Sequence, residues 1–509
     1  MKLFLLTPIL FGLWVSCVGP RQGTEMAETT AIDATVSTQE QPLIPAFPPG
    51  GTMELWISTP SNDHWLEPSH DSIQAGSQYS GIIHTTIILN PSQRYQTMDG
   101  FGASLTEAST WLIKNQLSPP VRERVMESLF GPTGIHLSML RQPMGASDFN
   151  FEAWTYGDTP NNSNDFDLKY FSLEREQDSI RPVLDMALAV DPGRIKIIGS
   201  PWSPPAWMKT GRHLYGNRGG TLRPNVYESY ARYFLKYLRE YEALGSPIYA
   251  ITVQNEPKFA APWPGMTMSA HQQIDFIQVL GSLLAAEGYG HVKILAYDHN
   301  YDDINYARTV LQSSAAQYIA GTAWHYYSNL FHQNLTTVHN EFPDKGQWFT
   351  EGGTGTWIGG GTEEGMFLDL MMHTIRFPRN WARSYITWNV ALDQNSGPAL
   401  DGIDDANRGL VTIRSDRIDQ IHYNNTYYGL GHSSRFVQPG AVRIESTPSI
   451  HWRLEQVAYE NPDGSIVVVL VNHENSVRTI SIKSQNRTWE YIITLPGKSG
   501  ATFVVRGIH

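Results

Sequence analysis

The chain has a single cysteine, fewer basic than acidic residues and no apolar run long enough to span a bilayer. Because Cys17 is the only cysteine among 509 residues, no disulfide can form within the chain. Lysine and arginine number 37 against 49 acidic residues, and the net charge of −12 argues against a nucleic-acid partner. What the chain has in abundance is aromatic residues, at 11%, and enough length for a large domain with a sizeable core.

The start of the chain has the pattern of an export signal. Lys2 precedes an apolar run over residues 3–15, which is too short for a transmembrane helix but typical of a signal peptide. Cys17 follows this run and resembles the lipidated cysteine of a bacterial lipoprotein. We therefore expect an export signal over residues 1–17, giving an outer-membrane or periplasmic lipoprotein anchored through Cys17, or a secreted protein. Residues 18–50 lack periodicity and predict a flexible linker.

From Gln96 onward, short apolar runs alternate with amphipathic stretches of helical spacing, such as residues 227–238. Eight of the runs are predicted strands: residues 99–102, 135–143, 194–201, 247–257, 292–300, 318–327, 347–351 and 384–392. Eight parallel strands, each followed by a helix or loop, close a barrel. The sequence therefore predicts an α/β fold with a (β/α)8 TIM barrel over residues 96–430.

After about Tyr428 the pattern changes to short strands separated by turn residues, as in Asn-Pro-Asp-Gly at residues 461–464. This pattern predicts a β-sandwich over residues 431–509. Two earlier strand-like runs lie within residues 51–95 and have no partners nearby in the sequence. We expect them to complete the sandwich, which would then be built from both ends of the chain.

Two of the predicted barrel strands end on a glutamate. Residues 247–257 read PIYAITVQNEP, an apolar run that leads to Asn255, Glu256 and a proline that cannot continue a central strand. Residues 347–353 read QWFTEGG and repeat the arrangement with Glu351. Barrel enzymes carry their chemistry at these strand ends. Because the fourth and seventh strands lie on opposite sides of the barrel, the two glutamates are expected to face each other across its mouth.

Two carboxylates roughly 5 Å apart are what a retaining glycosidase requires, one as nucleophile and one as proton donor. Asn255 is placed to donate a hydrogen bond to a sugar hydroxyl next to the reacting carbon. An isolated Asn-Glu-Pro tripeptide is equally compatible with an ordinary turn at a strand end. The second glutamate, at another strand end of a predicted barrel, favours the catalytic interpretation.

Long segments from about Glu54 to the end of the chain resemble glycoside hydrolase family 30, the glucosylceramidase-like enzymes. Besides the two glutamate motifs, the segments that carry the resemblance are QTMDGFGASLTEAS (96–109), LRQPMGASDF (140–149), SPWSPPAWMKT (200–210) and YYGLGH (427–432). The resemblance implies a barrel with a side β-sandwich, no cofactor and no metal. It also implies that Glu256 is the general acid/base and Glu351 the nucleophile. Asn255 matches a residue that holds the sugar 2-hydroxyl, and Asp148 matches a carboxylate that grips sugar hydroxyls.

The same resemblance assigns five further side chains to the site. Trp202 and Trp388 would line the pocket of the terminal glucose, and Tyr327 would hydrogen-bond the nucleophile. Arg141 would pair with the nucleophile and keep it ionised. His325 belongs to the same His-Tyr-Tyr segment as Tyr327. For Arg141 and His325, a purely structural role as buried polar groups stays open.

The predicted function is hydrolysis of a β-glucoside, either a glycolipid or a β-glucan, by a retaining β-glucosidase of glucosylceramidase type. The alternatives are an endo-β-1,6-glucanase or another β-glycosidase on the same site, and a non-catalytic surface protein that binds carbohydrate. The loops at 258–265, 352–361, 397–399 and 402–409 depart from the family pattern, so the leaving group stays open. Residues 298–300, Asp-His-Asn, lack metal-ligand spacing and predict a hydrogen-bonded barrel rim.

Overall fold

The computed structural model describes residues 53–328, 331–403, 406–485 and 489–507. The predicted signal over residues 1–17, the lipidation of Cys17 and the linker over residues 18–50 all lie outside these described residues. Within the described ranges, no helix combines the length and the apolar character that crossing a membrane requires.

A closed barrel of eight parallel strands forms the larger part of the fold and confirms the predicted (β/α)8 architecture. Neighbours around the barrel are also neighbours in the sequence, as expected for repeated βα units. In chain order the strands are Gly100–Ser104, Met139–Pro143, Lys196–Ser200, Ala250–Thr252, Lys293–Asn300, Ile319–His325, Gly346–Gly352 and Ala382–Thr387.

The interior of the barrel is filled by a layer of apolar side chains from its strands, as is usual for this fold. The layer consists of Met139, Ile198, Ala250, Leu295, Ala323, Trp348 and Ile386. The Trp348 indole N–H donates to Asp99 at 2.7 Å, so the one polar atom of this large ring is satisfied. Gly321 allows close packing of two strands, because a Cβ there would lie 1.9 Å from the Gly346 carbonyl oxygen.

The helices surround the barrel with their apolar faces inward. The predicted amphipathic helix extends over Tyr227–Ala243, and its buried face includes Tyr230, Tyr233, Tyr237 and Tyr241 at helical spacing. The α-helices of the described residues are Glu107–Asn115, Pro119–Phe130, Glu174–Asp178, Arg181–Val190, Gly216–Gly219, Tyr227–Ala243, Ala270–Ala286, Ile304–Leu311, Gln333–Glu341, Glu363–Arg379 and Asn425–Ser434.

A ten-stranded sheet folds around a second apolar core and contains strands from both ends of the described chain. Met53–Thr59 pairs antiparallel with Ser499–Val505. Thr85–Thr97 lies between Val442–Ser446 and Arg478–Ser484. The remaining strands of this sheet are His64–Pro68, Ile73–Ala75, Leu454–Glu460, Ile466–Asn472 and Glu490–Leu495. Two small sheets beside the barrel use Thr354–Gly355 with Asn407–Arg408, and Ala391–Leu392 with Val411–Ile413 and Ile421–Tyr423.

Two helices connect this sheet to the barrel. In Glu363–Arg379, the Arg376 guanidinium donates to both carboxylate oxygens of Glu455, at 2.7 and 2.6 Å, and both side chains are buried. In Asn425–Ser434, the His432 ring lies within 3.0 Å of the hydroxyls of Ser58 and Thr502. The junction is therefore polar at its contacts but closed to water.

Candidate active site

Glu351 and Glu256 reach the mouth of the barrel by different routes. Glu351 lies within the seventh strand, as predicted. Glu256 was expected to end the fourth strand, but that strand ends at Thr252, and Glu256 follows in a turn. The turn stays attached to the barrel through two backbone hydrogen bonds. The Asn255 N–H donates to the Pro201 carbonyl at 2.9 Å, and the Glu256 N–H donates to the backbone carbonyl of Asp298 at 3.0 Å. Glu256 has a left-handed backbone with φ of 46°, which is typical of strained functional positions.

The two glutamates lie close together and share a histidine. One side-chain ligand atom from each of Glu256, His325 and Glu351 lies within 4.8 Å of the other two. This spacing is near the value of about 5 Å that retaining glycosidases show, and it leaves too little room for the water that an inverting enzyme places between its carboxylates. The geometry therefore fits a direct attack by one carboxylate on the sugar.

Arg141 holds three of the site residues in a fixed arrangement. It is fully buried in the middle of the second barrel strand, Met139–Pro143, and one of its Nη atoms contacts Glu351. The other Nη atom donates to Asn255 Oδ1 at 2.7 Å and to Asp298 Oδ2 at 2.9 Å. Because the Asn255 carbonyl is used by Arg141, its NH2 group is the part that faces a ligand, as the predicted contact with a sugar hydroxyl requires.

Asp298 is a central residue of the site that the sequence interpretation did not assign. Its Oδ1 lies 2.9 Å from His325 Nε2 and accepts a hydrogen bond from the Thr350 hydroxyl at 2.7 Å. Tyr297 and Asp298 have φ of 75° and 64°, and the pairing with the sixth strand shifts register beside them. This β-bulge directs the carboxylate to Arg141 and His325. Only the predicted hydrogen-bonded rim at residues 298–300 pointed to this position.

His325 is charged at neutral pH. Burial alone would lower the pKa of its imidazole, but the carboxylates of Glu351 and Asp298 outweigh burial and raise the pKa to about 9. The neighbouring charges of Arg141 and His325 also lower the pKa of Asp298, despite its burial. The ring contacts Glu256 through Nδ1 at 3.3 Å. His325 therefore links the Asp298 carboxylate to the two glutamates.

Glu256 and Glu351 titrate together, because each carboxyl feels the charge of the other. Burial raises the pKa of Glu351, although His325 and Arg141 oppose this shift. Burial acts in the same direction on Glu256, but its hydrogen bond with His325 and the nearby charges of His325 and Arg141 lower the pKa overall. A proton donor at Glu256 requires that the shared proton lie on Glu256 and that Glu351 be ionised. The hydrogen bonds favour this arrangement, because Glu351 accepts from both Arg141 and Tyr327.

The other predicted side chains line a cavity of about 460 Å3 at the barrel mouth. Trp202 and Trp388 stack on each other with ring centroids 5.2 Å apart and form an aromatic wall. Tyr327 donates its hydroxyl to Glu351 at 2.9 Å. Asp148 lines the same cavity, and its buried Oδ1 has no hydrogen-bond partner in the described protein. Burial and the charge of Glu351 raise the pKa of Asp148 well above its usual range.

Arg141 and His325 contact the two glutamates rather than the open cavity. Neither residue has exposed surface, so they act on a ligand through Glu256 and Glu351, and the predicted pairing of Arg141 with Glu351 is present. The three-residue group of Glu256, His325 and Glu351 also has the composition of a small metal site. However, the Arg141 guanidinium already pairs with the Glu351 carboxylate, and a protonated His325 has no lone pair to offer a metal ion. The group is therefore better suited to proton transfer than to binding a cation.

Comparison with known proteins identifies related sequences along most of the chain. A family model described as the glycosyl hydrolase family 30 TIM-barrel domain matches residues 98–437. A second model, the glycosyl hydrolase family 30 beta sandwich domain, matches residues 440–503. The first match covers the barrel, and the second covers most of the C-terminal strands of the ten-stranded sheet.

Individual relatives agree with these matches. An endo-1,6-β-D-glucanase of Neurospora crassa is 35% identical over 421 residues, which cover 80% of this chain and 85% of that protein. The lysosomal acid glucosylceramidase of Mus musculus is 29% identical over 482 residues, which cover 90% of each chain. Among solved structures, an endo-β1,6-glucanase superposes with a TM-score of 0.79 at 30% identity, covering 89% of this chain and 99% of that one.

Proposed function

Since the chain belongs to glycosyl hydrolase family 30 and is a glycoside hydrolase, we propose that it cleaves β-glucosides with retention of configuration. The observation that supports this mechanism is the pair of carboxylates within 4.8 Å of each other, with hydrogen-bond donors directed at one of them. Glu351 is the nucleophile, because Arg141 and Tyr327 stabilise its ionised form. Glu256 is the proton donor, because it faces the cavity without these two donors.

The reaction takes two steps. In the first step, a Glu351 oxygen forms a bond to the anomeric carbon, the glycosidic bond breaks, and Glu256 gives its proton to the leaving oxygen. In the second step, Glu256 takes a proton from water, whose oxygen attacks the anomeric carbon and releases Glu351. A sugar ring bound against Glu256 removes water from it and favours its neutral form, which supplies the required proton. Asn255, with its carbonyl held by Arg141, directs its NH2 group at the 2-hydroxyl.

A trapping experiment tests this assignment. A 2-fluoro β-glucoside with a good leaving group should leave a covalent glucosyl adduct on the peptide that contains Glu351, detected by mass spectrometry. Glu351→Ala should abolish the adduct, and NMR should show the β anomer as the first product of the wild-type enzyme. An α-anomeric first product would mean inversion and would overturn the mechanism.

Two classes of natural substrate are candidates for this site. The first is glucosylceramide, in line with the sequence-based expectation and with the glucosylceramidase relatives. The second is a β-1,6-linked glucan, which relatives named endo-1,6-glucanases support. Parallel assays with an aryl β-glucoside, glucosylceramide and a β-1,6-glucan separate the two. Turnover of the aryl glucoside alone would leave the mechanism standing and remove both substrate assignments.

We also propose that the protein is exported and anchored through a lipidated Cys17, on the strength of the apolar run that precedes this cysteine. Cys17→Ser should then move the protein from the membrane fraction to the soluble fraction, with unchanged specific activity on an aryl β-glucoside. A wild-type protein that is wholly soluble in the medium after cleavage elsewhere would contradict the anchor.

A further inference from the structure

The outer part of the cavity has an aromatic side chain shortly after each catalytic glutamate. Phe259 follows Glu256, and its N–H donates to the Glu256 carbonyl at 2.9 Å. Trp357 follows Glu351 beyond a glycine-rich turn. Both side chains line the cavity although they are 41% and 46% exposed, so neither belongs to the apolar core. Such exposed aromatic faces at a cavity mouth are candidate contacts for a ligand.

Both aromatic rings are held in place by the surrounding structure. Phe259 packs edge-to-face on Trp263, which also lines the cavity, with ring centroids 5.6 Å apart. Trp357 lies on the backbone of its own turn, because a Cβ at Gly355 would be 2.1 Å from the indole ring. Gly355 is in turn paired with Asn407 in a short antiparallel ladder. The two rings are therefore attached to the catalytic strand ends rather than placed on free loops.

Three polar side chains line the same cavity as these rings, namely His299, Asn300 and Asn407. Burial lowers the pKa of His299 to about 4, so its ring is neutral. Its Nδ1 accepts the Lys258 N–H at 3.4 Å, which leaves Nε2 as a donor. Asn300 Oδ1 accepts the Tyr327 N–H at 2.9 Å, so its NH2 group is the part available to a ligand.

Aromatic faces combined with hydrogen-bond donors match the chemistry of a pyranose ring, which has apolar faces and a rim of hydroxyls. The paired hydrocarbon chains of a ceramide would use the aromatic faces but leave the hydrogen-bond donors of His299 and Asn300 without partners, at a cost in free energy. The position also fits, because the leaving group must lie within reach of the proton donor Glu256, and Phe259 is attached to that residue.

We propose that Phe259, Trp263 and Trp357, with His299 and Asn300, form a subsite for a departing glucosyl unit, so that the bond cleaved joins two sugars. This inference rests on the proposed function and names the leaving group of the same site. The enzyme then acts on a glucan or gluco-oligosaccharide, and the ceramide of a glycolipid is not the group that this part of the cavity accepts.

Two substrates with different leaving groups test the subsite. β-Glucosyl fluoride fills only the inner pocket, whereas a β-1,6-linked gluco-oligosaccharide fills both parts. Phe259→Ala and Trp357→Ala should each raise KM for the oligosaccharide by about tenfold, equivalent to about 1.4 kcal/mol. The same variants should hydrolyse β-glucosyl fluoride with kcat/KM within about twofold of wild type. Trp357→Phe should retain most of the affinity, since it keeps an aromatic face.

Phe151→Ala is the matched control, because Phe151 is 51% exposed and lies outside the residues that line the cavity. Phe151→Ala should change neither KM for the oligosaccharide nor kcat/KM for β-glucosyl fluoride. Equal losses on both substrates for Phe259→Ala and Trp357→Ala would overturn the subsite, and so would a loss confined to glucosylceramide in detergent micelles. Failure of the wild-type enzyme to hydrolyse even β-glucosyl fluoride would instead refute the proposed function, and the subsite with it.

Discussion

At the scale of single residues, Glu256 is the side chain whose role depends most on the leaving group. Glu256→Ala removes the proton donor, and a poor leaving group such as a sugar hydroxyl then departs without assistance. We expect kcat/KM on a gluco-oligosaccharide to fall by roughly a hundredfold or more. An activated aryl glucoside, whose leaving group needs no proton, should lose much less. Equal losses on the two substrates, in a variant with a native circular dichroism spectrum, would contradict the role of Glu256.

His325 makes the stability of the site dependent on pH. Against the effect of burial, the carboxylates of Glu351 and Asp298 raise its pKa from the usual 6.5 to about 9. A raised pKa means that the stabilisation is fully present below about pH 6.5 and is lost as the pH rises through 9. Urea unfolding of wild type and His325→Gln should therefore show a large difference in unfolding free energy at pH 6 that narrows towards pH 9.

The control for this prediction is His271→Gln, a change of an exposed histidine on the helix Ala270–Ala286. The unfolding free energy of His271→Gln should differ little from that of wild type, and this difference should stay constant between pH 6 and pH 9. If the difference in unfolding free energy between wild type and His325→Gln does not change with pH, the His325 ring is not charged in the folded protein.

At the scale of structural elements, Lys209 ties three loops together beside the cavity. Its ammonium group is fully buried and donates to the Ser203 hydroxyl at 2.8 Å, the Leu214 carbonyl at 2.6 Å and the Gly265 carbonyl at 2.7 Å. Burial lowers the pKa of Lys209 to about 7. Two of these loops adjoin Trp202 and Trp263, which both line the cavity.

Lys209→Met should leave the buried Gly265 carbonyl without a donor, whereas the Leu214 carbonyl still accepts the Gly265 N–H at 3.1 Å. An unsatisfied buried acceptor costs about 1–3 kcal/mol, and we expect the free energy of unfolding to fall by an amount in this range. Urea unfolding followed by tryptophan fluorescence measures this change. Lys169→Met is the control, because Lys169 pairs with Asp167 on the surface and both side chains are 75% exposed. An equal effect of the two changes would show that Lys209 does not hold the loops.

At the scale of the whole molecule, the buried pair Arg376 and Glu455 joins the barrel to the sheet domain. The Glu455 carboxylate is held ionised because the hydrogen bonds and charge of Arg376 lower its pKa against the effect of burial. Glu455→Leu leaves the guanidinium buried without its partner, and breaking a buried pair in this way costs about 3–5 kcal/mol. The double change Arg376→Leu with Glu455→Leu should recover most of this loss.

A double-mutant cycle in urea measures the coupling between the two residues. Glu287→Ala, which breaks the exposed pair with Arg239, should leave the unfolding midpoint unchanged. If Glu455→Leu alone is as stable as wild type, the two parts of the molecule do not depend on this contact. A single unfolding transition for all variants would indicate that the barrel and sheet unfold together.

The elements of this protein and their order were determined by the sequence itself. Apolar runs of strand length, separated by amphipathic stretches, predicted all eight barrel strands, because periodicity reports which side chains are buried. The glycines after Glu351 indicated where the seventh strand ends, whereas the proline after Glu256 lies beyond the end of the fourth strand at Thr252. Short polar strands such as His64–Pro68 and Ile73–Ala75 were missed, since their side chains carry no strong apolar pattern.

The site itself was decided by the tertiary structure. Arg141 and Glu351 are 210 residues apart in the sequence, and only closure of the barrel brings them into contact. The bulge that directs Asp298 towards Arg141 and His325 depends on the pairing of two strands, so no local sequence pattern predicts it. Likewise, the exposure of Phe259 and Trp357 depends on how two loops pack. Sequence patterns report local burial, whereas distances between separate strand ends depend on a closure that involves the whole chain.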